Sequence, residues 1–518
     1  MKKLSYLLVG IFCITLVDNT FSNNQNIHGK SFYLGNNGTV TGNGLMLTIG
    51  KQRNDSEEDI HGHFWVQVEG GQTFKPDQIA QALFFNGSSS MSFGQSGASD
   101  VYSINFLLPQ SAVGAAEAWQ STLNASPKIS TLVGDFRGVF FFRNLKSWYV
   151  EIDLPLVYSR FNMHLTEQSG IQTTSTIPAG YIAPAATTTP YSNVINAFKG
   201  NLIAGQNLLT RQYGNIDGVQ KKIAIGNTNF VFGCRLIDKE KGYLGVGFLA
   251  LINGDFGGYS DAMYLGTPSV GTAGRSGIGV RIDEFYNFYE HDNLIIAAGL
   301  RADIVHTFNS TVLRSYDTKS NGVGSRYLLI KEFLPLTDRN GYFTYIDSIS
   351  YAINITTLYA NIKIPCVYDI SLMLQTKYKQ IDFDLGLQIH GHSSERHKNF
   401  INLFPYGLYG ALVAGSADTV THSHQLSPDI SITGKTALGT TPVIEGATAS
   451  TAKFDSIVLD INSALAKASV SCRLFTAFGY TLVHKNKPYF LVGASVDLPN
   501  CNSSPYQWEL STAAGLHF

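Results

Sequence analysis

The last residues of the chain, Tyr506–Phe518, read YQWELSTAAGLHF and decide the fold. Every second side chain is apolar or aromatic, apart from one threonine, and the side chains between them are polar or small. A period of two residues is typical of a β-strand with one apolar and one polar face, whereas a helix repeats about every 3.6 residues. The stretch is also long enough to cross a bilayer, because a transmembrane strand needs about 9 to 11 residues. It therefore predicts a membrane-spanning strand at the end of the chain.

The aromatic residues of this strand carry a resemblance to a known family. A final strand that ends in Phe518 resembles the closing strand of porin-like outer-membrane β-barrel proteins of Gram-negative bacteria. The resemblance covers residues 506–518 and implies an antiparallel transmembrane β-barrel that the barrel-assembly machinery recognises. The implied assembly signal consists of Tyr506, Trp508, Leu510, Leu516 and Phe518. On this stretch alone, the alternative is a secreted β-sandwich whose last strand ends in Phe by coincidence.

Residues 1–22 have the three parts of a secretory signal peptide. Lys2 and Lys3 form a charged start, residues 4–17 form an apolar centre, and Thr20 and Ser22 supply small side chains before a cleavage site. We therefore expect a cleaved signal peptide and a mature chain that begins at Asn23. No run of 18 apolar residues follows, so export predicts either a β-barrel in the outer membrane or a soluble secreted protein. Residues 23–59 are polar and are predicted to lie in the periplasm or in the barrel lumen.

The composition favours an aromatic-rich barrel over a nucleic-acid-binding protein. The chain of 518 residues contains 50 Gly, 26 Tyr and 32 Phe, with 14% charged residues and a net charge of −1. Many turns, many aromatic side chains and few charges suit a membrane barrel. A nucleic-acid partner is not expected, because no excess of basic residues is present. A disulfide between Cys366 and Cys501, near two predicted external strand ends, stays an open alternative.

The same alternation recurs upstream, so the sequence predicts a single transmembrane antiparallel β-barrel of about 12 strands, within a range of 10 to 14. The barrel is predicted to occupy residues 60–518, with long loops at 75–130, 166–222, 253–277, 307–365 and 391–465 that contain short helices. These long connections alternate with short turns, as in outer-membrane barrels, whose periplasmic turns are short and external loops long. A β-sandwich has no reason to keep this alternation.

The predicted inward faces carry charges of both signs, and two interpretations stay open. In one, a polar lumen passes small hydrophilic solutes. In the other, the charges pair across strands and fill a narrow interior. The candidate lumen-lining residues are Asp135, Arg137, Glu151, Asp153, Arg235, Arg281, Asp283, Arg301, Asp303, Lys377, Asp382, Asp384, Arg473, Asp497 and Glu509.

One hairpin can distinguish these interpretations. If the hairpin is centred on Asp292, Arg281 lies opposite Asp303 and forms a cross-strand ion pair. If it is centred on His291, Arg281 and Arg301 face each other and need another partner or an anionic solute. The second register would favour an anion-binding constriction.

Histidine and serine residues give only weak signals for metal binding or catalysis. His390, His392 and His397 lie near Glu395 in the sequence and are the candidate ligands for Zn²⁺ or Cu²⁺, but no established metal-site spacing is met. No metal site or cofactor is therefore expected. The chain has no Gly-x-Ser-x-Gly and no His-Glu-x-x-His motif, so we do not expect an enzyme.

The function that the sequence favours is an outer-membrane pore, or porin-like channel, for small hydrophilic solutes. The first alternative is a barrel that serves as a platform for surface-exposed loops, in adhesion or host contact, because the loops are too long for connection alone. The second alternative is an outer-membrane hydrolase. The expected partners are outer-membrane lipid and lipopolysaccharide, the barrel-assembly machinery and small solutes.

Overall fold

The structure is a computed structural model of the chain, and most of residues 60–518 can be described in it. The predicted signal peptide 1–22, the polar segment 23–59 and Cys501 lie outside the described residues. The described ranges are 60–94, 99–109, 119–142, 147–170, 189–200, 211–216, 218–254, 268, 270–272, 274–319, 323–335, 343–401, 408–411, 434–435, 443–444, 459–499 and 505–518.

Twelve long antiparallel strands form the main body of the molecule. They all show the two-residue alternation of the sequence, and the predicted strand count is therefore confirmed. In chain order they are β1 Ile60–Thr73, β2 Lys128–Phe142, β3 Trp148–Asn162, β4 Asn227–Lys239, β5 Gly242–Asn253, β6 Gly277–His291, β7 Leu294–Thr307, β8 Val367–Tyr378, β9 Ile381–His392, β10 Ser469–Thr481, β11 Tyr489–Pro499 and β12 Gln507–His517.

The strands close into a barrel because β1 pairs with both β2 and the final strand. Along the closing seam Gly71 lies opposite Glu509, and Phe64 lies opposite Leu516. The other strands pair with their neighbours in chain order. The strand Val219–Ile225 extends β4 and pairs with the C-terminal half of β3. The fold is therefore the closed antiparallel β-barrel that the sequence predicts.

The outward face of the barrel is an apolar surface. Phe136, Leu156, Phe248, Leu372 and Val492 are among the large hydrophobic side chains that remain exposed, and Leu510 on the last strand is 60% exposed. An apolar band of this extent is not stable against water, but it is the surface that a lipid bilayer requires. The alternation thus places apolar side chains outside and polar side chains inside on the same strands.

The two ends of the barrel differ in the length of their connections. At one end, which we call the short-turn end, each hairpin turns within a few residues, as between His291 and Leu294 or between Tyr378 and Ile381. The opposite end, the long-loop end, carries longer connections. Its helices are α1 Pro76–Leu83, α2 Val194–Lys199 and α3 Ala352–Thr356, with 3₁₀ turns at Ser103–Phe106, Ser325–Tyr327 and Ile461–Ala464.

Short strands at the long-loop end extend the barrel wall. Ser310–Ser315, Thr357–Lys363 and Arg396–Phe400 form a sheet in the same order as β7, β8 and β9, which they continue. Val101–Tyr102, Ser90–Gly94, Gln120–Ala125 and Leu165–Ser169 form a second sheet beside β2 and β3. Further strands are Leu408–Ala411, Leu329–Pro335, Phe343–Tyr351, Val443–Ile444 and Gly434–Lys435, together with the pair Asp317–Thr318 and Leu459–Asp460.

The long connections have a hydrophobic core of their own, which we call the cap core. It combines side chains from the connections that follow β1, β3 and β7, such as Phe84, Phe106, Trp119, Phe198 and Tyr351. Inside it, the guanidinium of Arg211 donates to the carbonyl oxygens of Ala197 and Phe198 at the end of α2. A core assembled from three connections makes this end of the molecule a folded unit.

The described residues contain neither a membrane-spanning helix nor a disulfide bond. Within the described residues no helix combines the length and the apolar character needed to span a membrane. Cys234, Cys366 and Cys472 are free cysteines.

Candidate functional site: the interior of the barrel

The interior of the barrel contains two layers of side chains that differ in chemistry. Midway along the strands lies a charged layer, built from inward-facing Asp, Glu and Arg residues. Towards the short-turn end lies an aromatic layer, which consists of Trp65, Phe141, Tyr149, Tyr243, Phe285, Phe475 and Tyr489.

Glu151 is the centre of one half of the charged layer. Its Oε1 atom lies 2.8 Å from a terminal nitrogen of Arg281, 3.4 Å from one of Arg301 and 3.8 Å from Nε of Arg137. These three arginines come from β6, β7 and β2, so a single carboxylate on β3 connects four strands. Arg137 also reaches Asp153 at 2.8 Å. Contacts across this many strands require the interior to be narrow at this level.

Arg473 is the centre of the other half. Its guanidinium contacts Asp497 on β11, Glu509 on β12 and Glu69 on β1. Gln507 donates to Glu509 at 2.9 Å and to Thr131 at 2.6 Å, which links this half to β2. One cation therefore serves three carboxylates that come together at the closing seam of the barrel.

The hairpin between β6 and β7 adopts the first of the two registers considered from the sequence. Arg281 lies opposite Asp303, and Asp283 lies opposite Arg301. Nε and a terminal nitrogen of Arg281 donate to the two oxygens of Asp303 at 2.7 and 2.6 Å. The two arginines do not face each other, so this hairpin does not form the anion-binding constriction that the second register would create.

The aromatic layer is joined to the charged layer by specific contacts. The hydroxyl of Tyr149 donates to Asp283 at 2.8 Å, and the guanidinium of Arg137 lies 5.3 Å from the centre of the Trp65 ring. Closer to the short-turn end, Arg235 lies between the rings of Phe141 and Tyr243 at 4.3 and 4.4 Å. The two layers are therefore in direct contact.

Both layers are closed in this conformation. The central residues Glu151 and Arg473 are 1% and 2% exposed, and Tyr489 in the aromatic layer is fully buried. A water-filled passage beside these side chains would leave them accessible. The described side chains of the two layers are therefore closely packed at these levels.

The described interior still contains polar atoms without a hydrogen-bond partner. They include both amide atoms of Gln67, one carboxylate oxygen each of Asp135 and Asp153, and Nε and one terminal nitrogen of Arg301. A buried polar group without a partner costs about 1 to 3 kcal/mol. Such groups are well placed to bind water or a polar solute.

The predicted lumen-lining residues divide between the charged layer and other inward positions. Arg235 lies in the aromatic layer, and Asp382 and Asp384 lie on the inward face of β9, where Asp384 accepts a hydrogen bond from Gln375. Lys377 lies opposite Asp382 at the end of β8. Asp135 lies 3.4 Å from Arg137 in the charged layer. The other candidates belong to the two halves of the charged layer described above.

Three features of the interior were not among the sequence candidates. Glu69 was missed because Gly70 and Gly71 interrupt the pattern of β1. Asp369 falls on the inward face of β8 in the sequence pattern but was not included among the candidates. Asp369 accepts from Gln388 at 2.8 Å and lies 3.4 Å from His390. The aromatic layer was missed because an inward aromatic residue makes both faces of a strand look apolar.

The three histidine candidates for a metal site each make a different contact. His390 contacts Asp369, His392 contacts the carbonyl of Ser393, and His397 packs against Tyr316 and Phe400. No group of three or more metal-ligating side chains occurs in the part of the chain that the structure describes. Glu395, the carboxylate considered with them, instead joins the long connections to each other.

Glu395 is buried between two arginines at the long-loop end. It contacts Arg275 at 2.7 Å and Arg314 at 3.1 Å, and it accepts from the backbone N–H of Ala466 at 2.9 Å. Burial alone would raise the pKa of Glu395, but Arg314 and Arg275 outweigh it and hold the pKa below its ordinary value. The contacts connect residues that follow β5, β7 and β9, so this junction ties three connections together.

The residues of the implied assembly signal lie on the outward face of the barrel. Trp508, Leu510, Leu516 and Phe518 are exposed, and Phe518 exchanges two backbone hydrogen bonds with Gly62 on β1. Tyr506 lies just before the last strand, with the Lys75 ammonium 4.0 Å from its ring centre. The recognition of these residues by the assembly machinery stays a prediction.

Comparison with known proteins shows only distant resemblance in structure. No protein-family model matches the chain, and no curated protein matches it. An outer membrane channel from Pseudomonas putida F1 shares 9% identity with a TM-score of 0.36, covering 89% of this chain and 97% of that chain. The Ralstonia pickettii toluene transporter TbuX shares 8% identity with a TM-score of 0.27, covering 94% and 98%. A Pseudomonas aeruginosa FadL homologue shares 7% identity with a TM-score of 0.27, covering 88% and 89%. At TM-scores below 0.5, the assignment of the fold rests on the strand pairing of this chain.

Proposed function

We propose that the protein is a gated channel of a Gram-negative outer membrane that passes small hydrophilic solutes. The observation that carries the proposal is a closed barrel with an apolar outer surface and a charged inner layer that retains unpartnered polar atoms. The outer surface fits lipid, and the inner layer offers hydrogen-bond donors and acceptors along the barrel axis. The proposal includes no catalytic step and no cofactor.

The aromatic layer supplies the gate in this proposal. Apolar constrictions stop conduction when water leaves them. The contacts of Tyr149 with Asp283 and of Trp65 with Arg137 couple this layer to the charged one. A solute that displaces an ion pair in the charged layer would thus also shift the rings that close the passage.

Acidic side chains outnumber basic ones on the described inward strand positions. A lumen of this sign favours cations over anions when it is open, because the local potential concentrates the opposite charge. The acidic residues are Glu69, Asp135, Glu151, Asp153, Asp283, Asp303, Asp369, Asp382, Asp384, Asp497 and Glu509, and the basic ones are Arg137, Arg235, Arg281, Arg301, Lys377 and Arg473.

Planar-bilayer recording on the full chain tests the proposal. We expect the wild-type protein to be mostly closed with brief openings, and the double variant Phe475→Ala/Tyr489→Ala to conduct steadily, because both rings leave the aromatic layer. Phe478→Ala is the matched control, since Phe478 lies on the same strand as Phe475 but points outward and is 56% exposed. If neither the wild type nor the double variant passes ions or small sugars above the empty-bilayer level, the channel proposal is wrong.

The cap core favours one second function, a platform for surface contacts. Connections that only join strands do not need a hydrophobic core of their own, whereas a folded unit can present a defined binding surface. Two results together would support this function instead: the protein carries no ionic current in the bilayer, and its surface binding disappears when the long connections are shortened.

A further inference from the structure

We propose that outward-facing pairs of basic residues at the long-loop end bind the phosphate groups of lipopolysaccharide in the outer leaflet. The two pairs are Arg160 with Lys221 and Lys363 with Arg396. This inference rests on the outer-membrane location proposed above. It concerns the outer surface of the wall, and it does not depend on whether the lumen conducts.

In the first pair, two cations lie directly opposite each other. Arg160 on β3 is the register partner of Lys221 on the extension of β4, and both side chains are exposed. The side chains of directly opposite residues begin about 5 Å apart, and like charges at this distance destabilise a sheet. Lys128, exposed on β2, lies opposite Asn162, two residues beyond Arg160 on β3. Three cations on neighbouring strands thus converge on one patch.

The position of this pair along the wall matches the lipid headgroups. The outward residues of β3 from Trp148 to Tyr158 are all apolar or aromatic, and none is charged. Arg160 is the next outward position. Ten steps of about 3.3 Å in a strand tilted by about 40° rise about 25 Å, which is the height of the apolar band of an outer-membrane barrel. Arg160 and Lys221 therefore lie just beyond the hydrocarbon layer.

The second pair repeats this arrangement on another part of the wall. Lys363 and Arg396 are register partners in the sheet that extends β7, β8 and β9, and Lys398 is exposed close by. The ammonium of Lys363 lies 2.8 Å from Nε2 of His306, an exposed residue that follows the apolar outward face of β7. Two such pairs of opposite cations therefore lie on the outer wall at the long-loop end.

The cations of both pairs are available to an external anion. Among the described residues, no carboxylate lies within 4.0 Å of the charged groups of Arg160, Lys221, Lys363 or Arg396. Elsewhere on the strands, arginines such as Arg137 and Arg473 are surrounded by carboxylates. A phosphate held between two opposite cations relieves their repulsion, and the planar guanidinium of an arginine matches its oxygen atoms.

Lipopolysaccharide is the occupant that fits this location. Its phosphate groups lie in the headgroup layer, at the level that the apolar residues of β3 define for Arg160. A phosphate carried by a lipid whose acyl chains contact the apolar outer surface gains additional contacts below the basic pair. Free phosphate has the same oxygen chemistry but lacks these contacts.

Binding of fluorescent lipid A to the detergent-purified full chain tests the inference. Wild-type protein should bind phosphorylated lipid A about tenfold more tightly than the same lipid without phosphates, as expected when charge-assisted contacts are lost. The variant Arg160→Gln/Lys221→Gln/Lys363→Gln/Arg396→Gln should lose this preference. Inorganic phosphate alone should bind much more weakly than lipid A.

The control variant is Lys239→Gln/Lys241→Gln, which removes two exposed lysines at the short-turn end. It should bind lipid A like the wild type. Folding of each variant is checked by the gel mobility of the unboiled protein, and the comparison of the two lipids on the wild type does not depend on any variant. Equal affinity of the wild type for both lipids, unchanged binding by the quadruple variant, or inorganic phosphate binding as tightly as lipid A would overturn the inference.

Discussion

Arg473 and Asp497 face each other across β10 and β11 in a bidentate ion pair, in which Nε and a terminal nitrogen of the arginine donate to the two carboxylate oxygens, both at 2.9 Å. The same guanidinium also contacts Glu69 and Glu509, which lie on the two strands of the closing seam. This cation is therefore the shared partner of three buried carboxylates. Its removal affects both the stability of the barrel and the charge of its interior.

Arg473→Gln is expected to lower the free energy of unfolding by about 3 to 5 kcal/mol, because removing one partner of a buried ion pair leaves uncompensated charge. The measurement is reversible urea unfolding in phospholipid vesicles, followed by tryptophan fluorescence. The double variant Arg473→Gln/Asp497→Asn should lose less than the sum of the two single variants, since the pair is then removed as a unit. Additive losses would show that the two side chains act independently and would contradict the prediction.

Glu151→Gln is expected to make the open channel more permeable to anions. The variant removes the carboxylate shared by Arg137, Arg281 and Arg301, so the remaining charge at this level becomes more positive. The reversal potential in a salt gradient measures the change in selectivity. Asp292→Asn is the control, because Asp292 is 81% exposed in a turn at the short-turn end. A reversal potential that Glu151→Gln leaves unchanged would show that this carboxylate does not face the conducting path.

The wall of the barrel could be predicted from the sequence because each strand carries its own signal. In β12, the outward residues Trp508 and Leu510 alternate with the inward residues Glu509 and Ser511, and a slip by one residue would place the carboxylate in lipid. The strand count follows from this local pattern and from the alternation of short and long connections. Pairing then follows from chain order, since neighbouring antiparallel strands are joined directly.

Which charged side chains meet inside the barrel, its aromatic layer and the cap core could not be predicted, because they depend on contacts between distant residues. Nothing near Glu151 in the sequence shows that Arg281 and Arg301 approach it from β6 and β7. Tyr149 and Phe475 look like ordinary strand residues, and only the closed barrel shows that their rings fill its interior. The cap core likewise combines Phe106 with Phe198 and Tyr351, which lie in three separate connections.

The junction of Glu395 with Arg275 and Arg314, which ties three connections together at the long-loop end, should open in acid. The pKa of Glu395 lies below its ordinary value, so the charged carboxylate contributes stability above about pH 4.3, the pKa of an unfolded glutamate, and this contribution is lost as the pH falls through the folded-state pKa. Amide protection in peptides that cover 310–319 and 459–466, measured relative to the intrinsic exchange rate at each pH, should fall in this acid range. In Glu395→Gln the protection should be low at neutral pH as well, with little further change in acid.

Glu290→Gln is the control for this experiment, because Glu290 is exposed at the short-turn end and far from the junction of Glu395 with Arg275 and Arg314. Its exchange profile should follow that of the wild type at every pH. If Glu395→Gln retains the wild-type profile in acid, another carboxylate controls the opening of this junction.

Gly71 is expected to be essential for closing the barrel, although it weakens the strand signal in the sequence. A Cβ atom at Gly71 would lie 2.5 Å from Cγ of Glu509 and 2.6 Å from the backbone oxygen of Trp508. The side chain of Glu509 can move, but the backbone of β12 cannot do so without breaking the seam. Gly71→Ala should therefore lower the temperature at which the folded, unboiled protein unfolds on a gel.

Gly70→Ala provides a matched control one residue away on the same strand. Its Cβ atom would meet Cδ1 of Leu132 at 3.6 Å, an ordinary contact distance on the outward face. This variant should keep or slightly raise the unfolding temperature, because alanine loses less backbone entropy than glycine in a strand, an effect of about 0.5 to 1 kcal/mol. Equal unfolding temperatures of the two variants would show that the seam tolerates a side chain at Gly71. A lower temperature for Gly71→Ala alone would place the constraint on the inward face, where Glu509 joins the Arg473 cluster.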